Sequence, residues 1–441
     1  MVMGAGIVEC DVAVTKDGEL VCRHAQCDLH TTTNILKTPL ASKCRQPWEG
    51  KSEYVHPGST VCCTSDLTLS EFKSLRGKMD AANQGARTVA EYMDATSKTR
   101  TDMYSDYENS PHGKLMTHKE SIELIKRWGR KATPELKTYT RGCGMMSYDE
   151  VRAKVVQEYK DAGFPASDVW LQSFNLPDVK YWITYEPAFG AQAVYLDNAY
   201  CDGTRQGCQD VVTGGERSPM YDDFRMLRNE GVNYIAPPMQ MLVRVDEHWH
   251  HDGHYKYGRH KYAPSDYAIA AKAAGMKIIT WTLERSGPLG SGGGWYYGTT
   301  NSITNNDGDM LELVHVLHRD VGVAGIFSDW PATTSFYANC MMSPVRKTCT
   351  NSPSYPASLG PRPAFLVDDM EASELKSTLQ ECLADDSVLF TPHDFSIGHR
   401  GACMMFPEHT EVSSDCKDVA EGAFGLVTSR HESICLLLHV A

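Results

Sequence analysis

Short apolar runs alternate with stretches of helical spacing along most of the chain. "GIVECDVAV" and "ELVCRH" are β-type runs near the start. "KATPELKTY", "DVWLQSF", "AQAVYL", "GVNYIA", "MKIITWTL", "VAGIFSDW" and a late "FSIGH" continue the series. Between them "SIELIKRW", "EVRAKVVQEYKDAG", "DYAIAAKAAG" and "DMLELVHVLHRDV" have the spacing of helices, the second ending in glycine. Strand-helix alternation predicts a parallel sheet with helical crossovers, and about eight units close a (β/α)8 barrel. A polar insertion from about residue 38 to 117 interrupts the series and holds a helix over "TLSEFKSLRGKM". Past residue 350 the pattern changes to a Pro/Ser linker, "NSPSYPASLGPRP", and an acidic helix, "DDMEASELKSTLQEC".

A chain of 441 residues, 41% apolar and 22% charged, has the composition of a soluble globular protein with a large core. Its net charge of -13 argues against partners of the same sign, nucleic acid and anionic membrane surfaces, while leaving room for a local cationic pocket. No apolar run is long enough to span a bilayer; "SICLLLHV" is too short. The first residues lack the basic flank, apolar stretch and small-residue cleavage site of a secretory signal. Fifteen cysteines nevertheless suit an oxidising compartment. Cys201 with Cys208, Cys340 with Cys349, and the adjacent Cys62 and Cys63 suggest disulfides closing short loops rather than free buried thiols, and no spacing is a clean zinc pattern.

Candidate chemistry gathers at strand ends. Glu9 and Asp11 are two apart on a β-type run, so both carboxylates face one side of it. Their repulsion is relieved by a hard divalent ion, and the flanking Ile7, Val8 and Val12 argue against a solvated acidic edge. "TPELK" repeats the spacing with Glu135 and Lys137, which suit a metal and a phosphate respectively, or else form a surface ion pair. His24 ends "ELVCRH" and His399 ends "FSIGH"; singly each reads as structural, jointly as an acid-base pair working near neutral pH. In "GHRG", small residues let the backbone approach a ligand beside His399 and Arg400. The histidine-rich "DEHWHHDGHYKYGRH", residues 246–260, has loop composition and no fixed ligand spacing.

Together, "GHRGACMMFPEHT", "GAGIVECDVAVTKDGELVCRH", "TPELK", "WLQSF", "ITWTL" and "GIFSDWP" resemble the strand motifs of the glycerophosphodiester phosphodiesterase family, in particular its larger secreted-type members. The resemblance implies a (β/α)8 TIM barrel that hydrolyses glycerophosphodiesters to glycerol 3-phosphate and an alcohol with one divalent cation, Ca2+ or Mg2+. Carried over by motif, Glu9, Asp11 and Glu135 are the metal ligands. His399 deprotonates the attacking hydroxyl and His24 protonates the leaving alkoxide. Arg400 and Lys137 hold the phosphate, Glu408 is a supporting carboxylate, and Trp281 lines the glycerol subsite. The glycerol 2-hydroxyl, acting through a cyclic phosphate, is the attacking group that the family suggests.

The chain departs from the family in two ways. Ala25 and His30 in "RHAQCDLHTTTN" stand where an aspartate and an arginine are usual. The family's first strand motif, at 395–410, follows its last, so the barrel is expected to be circularly permuted: strands 2 to 8 in residues 1–345, linker and acidic helix in 346–394, displaced first strand and an unassigned tail in 395–441. A true permutant and a piece of a tandem protein both satisfy this order. A parent protein bound for the secretory route or the exterior is expected. The rival readings are a non-catalytic or truncated barrel and a phospholipase of the sphingomyelinase D or phosphoinositide type.

Overall fold

Ten consecutive buried residues, Ala5–Val14, form the first strand, β1. Burial on both faces is what a barrel strand under a helical layer requires, and it explains why this run is continuously apolar apart from its acids. The structure, a computed structural model, describes residues 3–48, 60–78, 82–93, 115–138, 146–198, 220–246, 261–285, 289–342, 357 and 359–399. The fold is a closed (β/α)8 barrel of parallel strands: β1, β3 (Lys131–Leu136), β4 (Gln172–Ser173), β5 (Val194–Leu196), β6 (Tyr234–Ala236), β9 (Lys277–Thr280), β10 (Gly325–Ser328) and β11 (His393–Gly398), while β7 (Val243–Val245) and β8 (Tyr262–Pro264) form a separate antiparallel pair. The chain divides into two compact units, Val8–Ser173 and Phe174–His399, the second also taking in the residues up to Ile7.

In the unit of Val8–Ser173, β3 pairs in parallel with β4 through Glu135 and Gln172. β2 (Leu20–Cys22) runs antiparallel to β1, with Val12 opposite Cys22. "ELVCRH" is therefore a short hairpin arm rather than a barrel strand, because a parallel neighbour needs a long crossover and only a tight turn separates these two. Helices His118–Arg127 and Tyr148–Asp161 begin at capping boxes, Thr117 with Glu120 and Ser147 with Glu150. The insertion, polar overall, contributes Leu67, Phe72, Tyr92 and Leu115 to a small core shared with Ala13, Val21, Leu29 and Ile35. Its helix covers only Leu69–Ser74, because the chain is already extended at Leu75. Disulfides Cys10–Cys22, Cys27–Cys63 and Cys44–Cys62 pin these segments, so the adjacent Cys62 and Cys63 take separate partners.

In the other unit, β5 and β6, β6 and β9, β9 and β10, and β10 and β11 pair in parallel. The His393 N–H donates to the Gly4 carbonyl at 3.1 Å, joining β11 to β1. Glycine at position 6 permits this approach, since a Cβ there would lie 2.5 Å from the His393 carbonyl carbon. Leu176–Tyr185, Met220–Asn229, Asp266–Ala273, Asp309–Val316 and Pro331–Met341 are the crossover helices. The acidic segment forms two helices, Arg362–Asp369 and Glu374–Ala384, because the Ser373 hydroxyl accepts from the Lys376 N–H and starts the second. Cys340, on Pro331–Met341, bonds to Cys382 on Glu374–Ala384 and not to its sequence neighbour Cys349; Cys201, Cys208 and Cys349 lie outside the described residues.

Candidate active site

Side chains on β1 alternate, and Glu9 and Asp11 fall on the same side of the strand. Both are buried, as is Glu135 near the end of β3. One carboxylate oxygen from each of the three lies within 4.8 Å of the others. Lys137, just beyond β3, places its ammonium 3.1 Å from Asp11 Oδ1 and 2.7 Å from Glu135 Oε1. The Gln172 amide donates to Glu9 Oε1 at 2.8 Å and fixes that carboxylate's direction. Burial pushes the Glu135 carboxyl up, with Lys137 pulling it down and Asp11 adding to the rise. Three carboxylates against one ammonium leave these four groups short of positive charge, and an all-oxygen donor set suits a hard divalent cation such as Ca2+ or Mg2+.

His24 follows β2 and is half-buried. The turn that carries it is held by Asp28, which accepts from the Ala25 N–H at 3.2 Å and pairs with the buried Arg23 at 3.4 Å. The Arg23 N–H donates to the Asp11 carbonyl at 2.8 Å, which ties this turn to the strand carrying two of the acids. The His30 Nδ1 accepts from the Cys62 N–H, so this residue braces the insertion.

In the unit of Phe174–His399, His399 follows β11 and is 9% exposed. Its Nδ1 lies 2.7 Å from Oδ1 of Asp329, the residue after β10, so an Nδ1–H donates to that carboxylate. Arg285 lies 3.8 Å from the other oxygen. Trp281, just past β9, donates its indole N–H to the Ala236 carbonyl at 2.8 Å and stands among Phe174, Trp295 and Tyr296, with ring centroids 5.8 to 6.1 Å away. Asp329, Gln172 and Asp28 carried no role in the sequence reading. For Asp329 the signal is position: it is the first charged residue past β10, and barrel enzymes place function at strand ends. Arg400, Glu408 and the histidines of 247–260 lie outside the described residues.

The barrel and its buried acids belong to an enzyme. The description "Glycerophosphoryl diester phosphodiesterase family" matches residues 1–333. An "Extracellular protein" of Arthroderma benhamiae is 38% identical over 268 residues, which is 59% of this chain and 99% of that one. Among solved structures, a putative glycerophosphoryl diester phosphodiesterase from Silicibacter pomeroyi is 15% identical over 75% of this chain and 82% of its own, with a TM-score of 0.41. An Oleispira antarctica phosphodiesterase in complex with the product sn-glycerol-3-phosphate is 15% identical over 76% and 86%, with a TM-score of 0.39. The chain belongs to the glycerophosphoryl diester phosphodiesterase family and is a phosphoric diester hydrolase.

Proposed function

We propose that the protein hydrolyses glycerophosphodiesters to glycerol 3-phosphate and an alcohol, using a divalent cation held by Glu9, Asp11 and Glu135. The observation that carries this reading is the buried carboxylate trio beside Lys137. When bound, Ca2+ or Mg2+ supplies positive charge against the phosphodiester oxygens. Lys137 offers its ammonium to the same phosphate, as does Arg400, with Glu408 in a supporting part. His399 takes the proton from the attacking hydroxyl at Nε2 while Asp329 holds Nδ1–H, and His24 gives a proton to the departing alcohol. Trp281 offers an apolar wall to the glycerol carbons. Residues 395–399 take the part of the family's first strand, joined to the barrel of 1–345 through 346–394. Secretion fits both the disulfides and the extracellular description of the Arthroderma relative.

The test is release of glycerol 3-phosphate from glycerophosphocholine before and after exhaustive chelation. Release that is lost on chelation and restored by Ca2+ or Mg2+ is expected. Release undiminished by chelation overturns the metal assignment, and cleavage of sphingomyelin or a phosphoinositide in its place moves the protein to a phospholipase reading.

A further inference from the structure

Glu284 is a fully buried acid, 0% exposed, that the proposed chemistry leaves unused. It stands beyond β9, and its Oε2 accepts from the Ser328 hydroxyl at 2.8 Å, the Asp329 N–H at 3.0 Å and the Trp330 N–H at 3.3 Å. The Trp330 N–H also donates to Ser328 Oγ at 3.0 Å. One carboxyl oxygen therefore gathers three successive residues into a turn. Buried N–H groups need acceptors, so the turn depends on this oxygen for its shape. Arg362, 1% exposed, donates to Thr333 Oγ1 at 2.9 Å and lies 5.4 Å over the Trp330 ring, which fixes a positive charge near the same turn. Burial pushes the Glu284 carboxyl up to about 7, with Arg362 pulling the other way. Protonated or ionised, a carboxyl oxygen still accepts.

Asp329 is the middle residue of that turn and the partner of His399 Nδ1 at 2.7 Å. We infer that Glu284 is a positioning residue for His399: it fixes the Ser328–Trp330 turn, the turn aims Asp329, and Asp329 sets the orientation and tautomer of the imidazole. The inference rests on the reading of His399 as the base. A carboxyl that merely supported the fold would contribute equally whether or not Asp329 could do its part, and this difference is measurable.

The experiment compares Glu284→Ala, Glu284→Gln, Asp329→Asn and the double variant Glu284→Ala with Asp329→Asn, following kcat and KM on glycerophosphocholine. Glu284→Ala is expected to lower kcat roughly tenfold or more with KM within about twofold, and to add less than about twofold once Asp329 is Asn. Glu284→Gln keeps an accepting oxygen and is expected to stay within about threefold of the parent. Equal losses in both backgrounds, a rise in KM in place of the fall in kcat, or an unchanged kcat overturns the inference. Should Glu284→Ala fail to fold, Ser328→Ala removes the hydroxyl that donates to Glu284 and accepts from the Trp330 N–H, and is expected to lower kcat about threefold, again only with Asp329 intact. A second readout does not depend on turnover: the downfield imidazole proton that His399→Ala removes should shift or broaden in Glu284→Ala or Ser328→Ala and not in Glu284→Gln. An unmoved resonance overturns the inference separately, even in a chain whose lack of activity has already overturned the hydrolase reading.

Discussion

In the unit of Val8–Ser173 the buried acids Glu9, Asp11 and Glu135 sit on strands, whereas in the unit of Phe174–His399 the buried acids Asp329 and Glu284 sit on segments that follow strands. The first group converges because strand geometry sends every second side chain the same way, and its carboxylates crowd one another. The second group is separated into jobs: one carboxylate meets His399, the other meets main-chain N–H groups. Charge that crowds calls for an ion; charge that is shared out among donors serves to hold a shape. Disturbing the first should therefore abolish chemistry, and disturbing the second should degrade it by degrees.

The largest effect is expected from the crowded acids. Asp11→Asn or Glu9→Gln, like chelation of the parent, should lower turnover by roughly 10³-fold or more and weaken Ca2+ or Mg2+ binding measured by calorimetry. A variant that binds the ion as tightly as the parent would remove its residue from the ligand set. His399→Ala comes next, with a loss of about 10² to 10⁴ in kcat and a melting midpoint within a few degrees of the parent, as befits a lost proton carrier. Asp329→Asn should lie below it, roughly tenfold to 10²-fold in kcat, because the imidazole remains and only its orientation and tautomer suffer. A loss equal to that of His399→Ala would mean that Asp329 does more than orient.

The smallest effect sharpens the contrast through pH. Glu284 holds its proton in the folded chain up to about 7, while its ordinary value is 4.5. Between those values the folded state binds the extra proton, so this group's contribution to stability is full below 4.5 and is lost as pH rises towards 7. The melting midpoint should fall by a few degrees over that window, and Glu284→Gln should flatten this part of the profile. An equally steep profile in the Gln variant would show that other groups carry it.

What the sequence made legible follows from periodicity. β1, β3 and the helix Tyr148–Asp161 stand close to where the apolar spacing places them, and the pairs Glu9 with Asp11 and Glu135 with Lys137 could be read because both members lie two residues apart. Pairings across long separations leave no such trace. Asp329 meets His399 over 70 residues and Ser328 meets Glu284 over 44, distances at which only the folded chain supplies the neighbour. "ELVCRH" reads as a β-type run and is a strand, but its place as a hairpin arm outside the barrel is not legible, because three apolar residues look alike in parallel and antiparallel settings. Spacing pairs Cys340 with the nearer Cys349, whereas the bond goes to Cys382, because packing of helices and not sequence proximity decides which thiols meet.

The bond from His393 to Gly4 joins strands from opposite ends of the described residues. Loop-closure entropy has to be met before so distant a contact repays it, so docking of β11 on β1 is expected after the locally connected strands have paired. Until it docks, the edge of β1 that β11 covers keeps its main-chain groups open to other strands, the condition under which partly folded chains stick to one another. Late closure, and the exposure to aggregation that goes with it, is thus what this order of strands asks of the folding chain.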